Sequence, residues 1–264
     1  MLTKIISNVI SKGGVGKTTI LVNLSYALKE MGKRVLLVDA DPQRNMTNSI
    51  GIEVDKELED KNLYKLLLSP VDTKDYIVKT DYENIDIICA DSNLMVVESS
   101  IDFERENKNI FKNIFEKLRD NNQYDYILID TNPNMNSMNM AILRCIDYNL
   151  VPMEPGAFGI EGLALFFNLF SLIKNDEKNM RDKELREVLG IVFNKVDMRE
   201  NIAKDSREIL SSQFPDLLLE SRIKVDSNIK NSQWYSVPLK VYRKNSRAVK
   251  DFEHLAKELV EVVH

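Results

Sequence analysis

Cysteine is scarce in this chain: two residues in 264, Cys89 and Cys145, each within or beside an apolar stretch. Two isolated thiols supply neither a disulfide framework nor the spacing of a metal centre, so neither is expected. Long apolar runs are missing as well. No stretch approaches the roughly 20 residues needed to cross a bilayer. There is no sign of a leader, because Met1-Leu2-Thr3-Lys4-Ile5 runs directly into an apolar strand. No internal repeat, low-complexity linker or composition break divides the chain. One domain over residues 1–264, in the cytoplasm, is therefore expected.

Basic charge is also in deficit, with a net charge of −5, which argues against a protein coated in cations. The deficit is uneven. Between Arg222 and Lys250 eight basic residues face a single acid, Asp226, so this segment carries +7 and the remainder −12. A local patch matters more to a polyanion than the average does.

What is present is alternation. Short apolar runs at Ile5–Ile10, Val35–Val38, Ile85–Cys89, Tyr126–Ile129, Leu150–Met153, Leu189–Phe193 and Leu239–Tyr242 read as strands. Several are apolar along nearly their whole length, as in strands covered on both faces. Leu21, Leu24, Leu28 and Met31 recur at helical spacing before Gly32. Strand–helix–strand alternation predicts an α/β fold: a single doubly wound, mostly parallel sheet with helices on both faces. A last helix over about Ser246 to Val263 puts Val249, Phe252, Ala256, Leu259 and Val263 on one face, suited to packing on the sheet.

Between the first strand and first helix stands Lys12-Gly13-Gly14-Val15-Gly16-Lys17-Thr18-Thr19. With Ser11 in place of the usual first glycine, this is nearly a Walker A loop. Glycines let the backbone turn and aim consecutive N–H groups at a phosphate, and the helix end adds its dipole. Lys17 is expected on the β- and γ-phosphates and the Thr18 hydroxyl on Mg²⁺. Two further strands end in carboxylates, Asp39-Ala40-Asp41-Pro42-Gln43 and Tyr126-Ile127-Leu128-Ile129-Asp130. Carboxylates there lie where an α/β sheet binds ligands. Asp130 is placed to hold a Mg²⁺-bound water.

Lys12, a second lysine at the front of the loop, makes the segment resemble the deviant Walker A motif of the ParA/MinD group of ATPases, whose pattern it matches in full. The resemblance implies that Lys12 crosses a dimer interface to the phosphates of the other subunit's ATP. Asp39-Ala40-Asp41-Pro42-Gln43 resembles that group's Asp-x-Asp-Pro-Gln motif, which implies that Asp41 positions the attacking water and Asp39 lies near Mg²⁺. The family's Asp-x-Pro-Pro appears here as Asp130-Thr131-Asn132-Pro133, with the first proline lost. Weaker pieces, Leu63-Tyr64-Lys65-Leu66-Leu67, Val151-Pro152-Met153-Glu154 and Val237-Pro238-Leu239, look like the ParA/Soj partition branch. That branch implies an ATP-bound homodimer on non-specific DNA, released when a centromere-binding ParB-like partner stimulates hydrolysis. DNA contacts are then expected from Lys224, Lys230, Arg243 and Arg247, without the N-terminal DNA-binding extension of longer partition ATPases. Lys240, alternating with Leu239 and Val241, fits the outward side of a strand.

Two alternatives stay open. A MinD-like membrane-cycling ATPase shares the loop but needs an amphipathic tail beyond the last helix. Asn194-Lys195-Val196-Asp197 matches the guanine-reading motif of many GTPases. The wider match to an ATPase family favours ATP, with Asn194 at the adenine.

Overall fold

The computed structural model describes residues 2–53, 58–69, 72–99, 109–178 and 187–263. Eight strands among them share one sheet: β1 (Lys4–Ser7), β2 (Val35–Ala40), β3 (Val78–Lys79), β4 (Ile85–Ile88), β5 (Tyr126–Thr131), β6 (Tyr148–Met153), β7 (Glu187–Val196) and β8 (Leu218–Lys224). The helices are α1 (Lys17–Glu30), α2 (Asn45–Ser49), α3 (Leu63–Leu68), α4 (Leu94–Ser99), α5 (Ile110–Asp120), α6 (Ser137–Leu143), α7 (Ala157–Lys178), α8 (Asn201–Gln213), α9 (Ser227–Trp234), α10 (Leu239–Tyr242) and α11 (Arg247–Val262). None of the described helices is long and apolar enough to cross a membrane.

The strand order is β3-β4-β2-β5-β1-β6-β7-β8, parallel throughout except for the short β3 against β4. Side chains alternate across a strand, so each feeds two cores. Leu36, Val38, Ile127 and Ile129 join Phe111, Phe115, Ile142 and Phe166 from α5, α6 and α7 on one face. Val35, Leu37, Tyr126 and Leu128 meet Leu21, Leu24 and Leu28 of α1 and Phe252, Leu255 and Leu259 of α11 on the other. Each such burial contributes about 1.5–3 kcal/mol. The expected doubly wound α/β sheet is what forms. Val249, Phe252, Ala256, Leu259 and Val263 are each at most 5% exposed, so the final stripe belongs to the core.

One expected strand is a helix. Leu239–Tyr242 forms the single turn α10, entered through Pro238 at φ −58°, whose carbonyl accepts from the N–H groups of Val241 and Tyr242. A proline ring preset for a helix start overrides the alternating pattern of the four residues that follow. Lys240 therefore lies on no strand; its ammonium meets Glu253 at 2.9 Å and Glu30 at 3.0 Å. The eighth strand is β8, where Leu219, Ser221 and Ile223 point inward between more exposed neighbours. β1 is shorter than its apolar run: Asn8, Val9 and Ile10 leave the ladder and lead into the glycine loop.

Candidate nucleotide site

The carboxyl ends of β1, β2, β5, β6 and β7 converge beside the central strand, where the connections diverge to the two halves of the sheet. Asn149 fixes the exit of β1, accepting from Ser7 Oγ (2.6 Å) and Val9 N (2.9 Å) and donating to the Val9 carbonyl (3.0 Å). Asn8 reaches the neighbouring strand and donates to Asp130 Oδ1 at 2.9 Å. The loop then turns through Gly14 at φ +76° and Gly16 at φ +89°. Side chains rarely adopt that conformation. Gly16 has a second constraint, because a methyl group there would lie 2.1 Å from Asn194 Nδ2.

Three loop carbonyls are taken by side chains. Asn194 Nδ2 donates to Val15 O at 2.7 Å, Lys195 Nζ to Gly14 O at 2.6 Å, and Lys17 Nζ to Lys12 O at 3.1 Å. Lys195 also pairs with Glu154 at 2.7 Å. Asn194, expected at the base, thus spends its amide donor bracing the loop. Asp197, the fixed aspartate of the guanine-like motif, is held low in pKa, to about 2, by hydrogen bonds from the Arg199 side chain and backbone.

Lys17 is 7% exposed, and burial pushes its pKa down while the charges of Asp130 and Asp41 pull it back up. Thr18 Oγ1 donates to Asp130 Oδ2 at 2.5 Å. Asp130 is fully buried; desolvation raises its pKa, opposed by hydrogen bonds from Thr18 and Asn8. A hydroxyl and a carboxylate in contact, beside a phosphate cradle, match the sparse oxygen donors Mg²⁺ uses when phosphates complete its shell. Thr18 and Asp130 are the residues that would hold it.

Asp39, expected near the metal, stands in register with Asp130 on the adjacent strand, and both its oxygens accept hydrogen bonds. Its Oδ2 accepts from Thr47 N and Oγ1, both at 2.8 Å, and its Oδ1 from Asp41 N at 3.1 Å. Desolvation and the facing Asp130 both push its pKa upward. These bonds anchor the turn that presents Asp41. Asp41 itself accepts from Gln43 N at 2.9 Å and keeps Oδ2 on a long 3.4 Å contact with Asn45. The Lys12 side chain packs against α7: its Cδ stands 3.5 Å from where a methyl on Gly162 would sit.

Several bracing residues carried no sequence motif. Asn8 and Asn149 are polar residues within or at the end of apolar runs, the one signal that could have found them, and Thr47 lies in the polar stretch Arg44-Asn45-Met46-Thr47-Asn48-Ser49, which offers none. After β5, Asn139 donates to Asn132 Oδ1 at 2.9 Å and to Asn132 O at 3.2 Å, holding the segment where the family's first proline is lost. Gln233 of α9 donates to Thr19 Oγ1 at 2.7 Å, linking the basic segment to the phosphate loop. Of the four cations expected on DNA, Lys230, Arg243 and Arg247 are exposed. Lys224 is not free: its Nζ pairs at 2.7 Å with the buried Asp251.

Comparison with known proteins follows the same lines. A family model described as an AAA domain matches residues 3–186. The sporulation initiation inhibitor protein Soj of Bacillus subtilis is 32% identical, covering 97% of this chain and 98% of that one. A putative plasmid partition protein of Borrelia burgdorferi, solved bound to AMPPNP, is 25% identical with a TM-score of 0.77, over 99% of each chain. The septum site-determining protein MinD of Pyrococcus horikoshii, solved with Mg-ADP, shares the fold at 24% identity and a TM-score of 0.77, over 99% of this chain and 98% of that one.

Proposed function

The chain belongs to the AAA-domain family, in its ParA/Soj group of partition ATPases, and from that premise we propose that it is a DNA-bound switch whose two copies are joined by ATP. One domain over residues 1–264 carries the whole cycle, in the cytoplasm and on the nucleoid when ATP is bound.

The loop from Lys12 to Thr19 takes the phosphates, its backbone N–H groups and Lys17 neutralising their charge. Thr18 and Asp130 would hold Mg²⁺, which would supply further charge neutralisation when bound. Asp41 orients the attacking water by accepting its hydrogen bond, kept in place by the Asp39–Thr47 anchor beneath it. Asn194 braces the loop and faces the adenine. Lys12 is the residue that makes the switch. The observation that carries this role is its position: the half-buried side chain rests against α7 at Gly162. From there it serves the nucleotide of a second copy, so ATP is shared across the interface and hydrolysis loosens it. Lys230, Arg243 and Arg247 hold DNA through phosphates, without reading sequence. A centromere-binding ParB-like partner stimulates hydrolysis and resets the cycle, moving plasmid or chromosome cargo.

DNA binding by the purified protein with ADP, ATP or GTP, alongside Lys12→Ala, tests the proposal. Salt-sensitive binding with ATP only, lost in the variant together with the dimer, is the expected result. Binding in every nucleotide state, or a Lys12→Ala protein that still dimerises, refutes the ATP-joined switch. GTP bound far more tightly than ATP moves the assignment to the GTP-using alternative. Binding to anionic vesicles in place of DNA moves it to a MinD-like positioning role.

A further inference from the structure

Trp234 is the only tryptophan in the chain and the most exposed large apolar side chain among the described residues, at 84%. It does not stand alone. Tyr235, 63% exposed, stacks on Tyr242 with ring centroids 5.5 Å apart and planes 16° from parallel. Val241, on the turn that carries Tyr242, is 46% exposed. Trp234, Tyr235 and Val241 thus face water between the end of α9 and the turn α10, with the half-buried Tyr242 behind Tyr235.

Cations border this surface. Lys230 lies one helical turn before Trp234 and shares its face of α9. Arg243 and Lys244 follow Tyr242 directly. Asp226, the N-cap of α9, accepts from Ser246 Oγ at 2.5 Å, which ties the start of α11, and Arg247 with it, to the other end of the same helix. Lys230, Arg243, Lys244 and Arg247 are all exposed, and none forms an ion pair among the described residues. By contrast Lys224 and Lys240, nearby in sequence, are spent on Asp251, Glu253 and Glu30. Unpaired cations around exposed rings fit a polyanion that also offers apolar sugar and groove surface between its phosphates, which is DNA.

We infer that Trp234, with the Tyr235–Tyr242 pair, is an aromatic contact to DNA that adds a salt-independent component to the phosphate contacts around it. This rests on the DNA-binding role proposed above. Phosphate contacts lose strength with salt by counterion release, about 0.9 in log–log slope per phosphate neutralised. A ring against sugars or bases releases no counterions, so its removal changes affinity and leaves the slope alone. The contact belongs to the nucleotide cycle as well: Gln233, the residue before Trp234, is the one bonded to Thr19 of the phosphate loop.

The test is a salt titration of binding to a short duplex of arbitrary sequence, with ATP, for the full chain and three variants. Trp234→Ala is expected to weaken binding on the order of tenfold at every salt concentration, the size of one buried apolar side chain, with unchanged slope. Trp234→Phe should recover most of that loss. Lys230→Ala with Arg243→Ala should lower the slope instead. In the unmodified protein, tryptophan fluorescence, which reports this one side chain, should change on adding DNA. At this exposure the substitution leaves the fold intact, which circular dichroism verifies. Unmoved fluorescence and unmodified affinity for Trp234→Ala, with the slope still lowered in the lysine–arginine variant, would overturn the aromatic contact and leave the DNA role standing. No DNA binding by the unmodified protein in any nucleotide state would remove both.

Discussion

Replacing Asn194 by alanine separates two roles for one side chain, a brace for the phosphate loop and a reader of the base. Asn194 is 4% exposed and donates to Val15 O at 2.7 Å. Its removal leaves that carbonyl without its partner in a site with little water, which costs about 1–3 kcal/mol. Gly16→Ala attacks the same bond from the other side. Its methyl group, 2.1 Å from Asn194 Nδ2, expels the amide, and φ +89° adds about 1–2 kcal/mol of backbone strain. Gly16→Ala alone should therefore cost about 2–5 kcal/mol. In an Asn194→Ala background the clash is gone and the bond already lost, so Gly16→Ala should cost only its strain.

The double-mutant cycle then gives a coupling energy of about 1–3 kcal/mol, the size of the shared bond. Denaturant unfolding of the four proteins without nucleotide measures it. Affinities for ATP and GTP in the same set provide the second reading: a brace lost weakens both nucleotides by the same factor. Additive stabilities, together with selective loss of ATP, would show that Asn194 reads the base and does not hold the loop.

Two further substitutions test neighbouring assignments. Asp41→Ala should keep ATP binding while slowing phosphate release on the order of a hundredfold, because the carboxylate acts on water and not on phosphate; phosphate-release kinetics with tight ATP retained would support this, and an unchanged rate would reassign Asp41. Lys224→Ala should cost about 2 kcal/mol of stability by stranding Asp251, with no change in the salt slope of DNA binding; a lowered slope would return Lys224 to the DNA surface.

Much of this molecule is visible in the chain because parallel strands buried on both faces must be apolar and short. Val35–Ala40 and Tyr126–Thr131 are buried at every position, and both announce themselves as runs. The glycine loop is legible for a different reason: positive φ at Gly14 and Gly16 restricts the letters allowed there. Tertiary partners are what the chain does not display. The alternation Leu239-Lys240-Val241-Tyr242 has the period of a strand, yet the chain turns there because Pro238 starts a helix and Asn23 Oδ1 accepts from Leu239 N at 2.8 Å. Lys224 and Lys230 are the same letter in one basic segment. Asp251, 27 residues later in the chain, claims the first and leaves the second. Asp39 resembles Asp41 in sequence, and only Thr47 decides that one anchors and the other faces the site.

The carbonyl braces also explain how a loop this polar exists before any phosphate arrives. A cradle whose N–H groups face inward must turn its carbonyls outward, and those shielded from water, Val15 O most of all, need donors. Here Asn194, Lys195 and Lys17 supply them at residues 15, 14 and 12. Lys17 is the donor that can leave, since the phosphates it is expected to meet attract its ammonium more strongly than one carbonyl. Lys195 stays, held at φ +54° and paired with Glu154. Lys195→Met should then loosen the cradle without touching the reacting atoms. The KM for ATP should rise severalfold while kcat at saturating ATP holds, the signature of lost uniform binding. Glu154→Gln, which frees the same lysine from its second anchor, should shift KM in the same direction by less. A fall in kcat with KM unchanged would mean that Lys195 acts in the transition state, and the division between bracing and reacting lysines would be wrong.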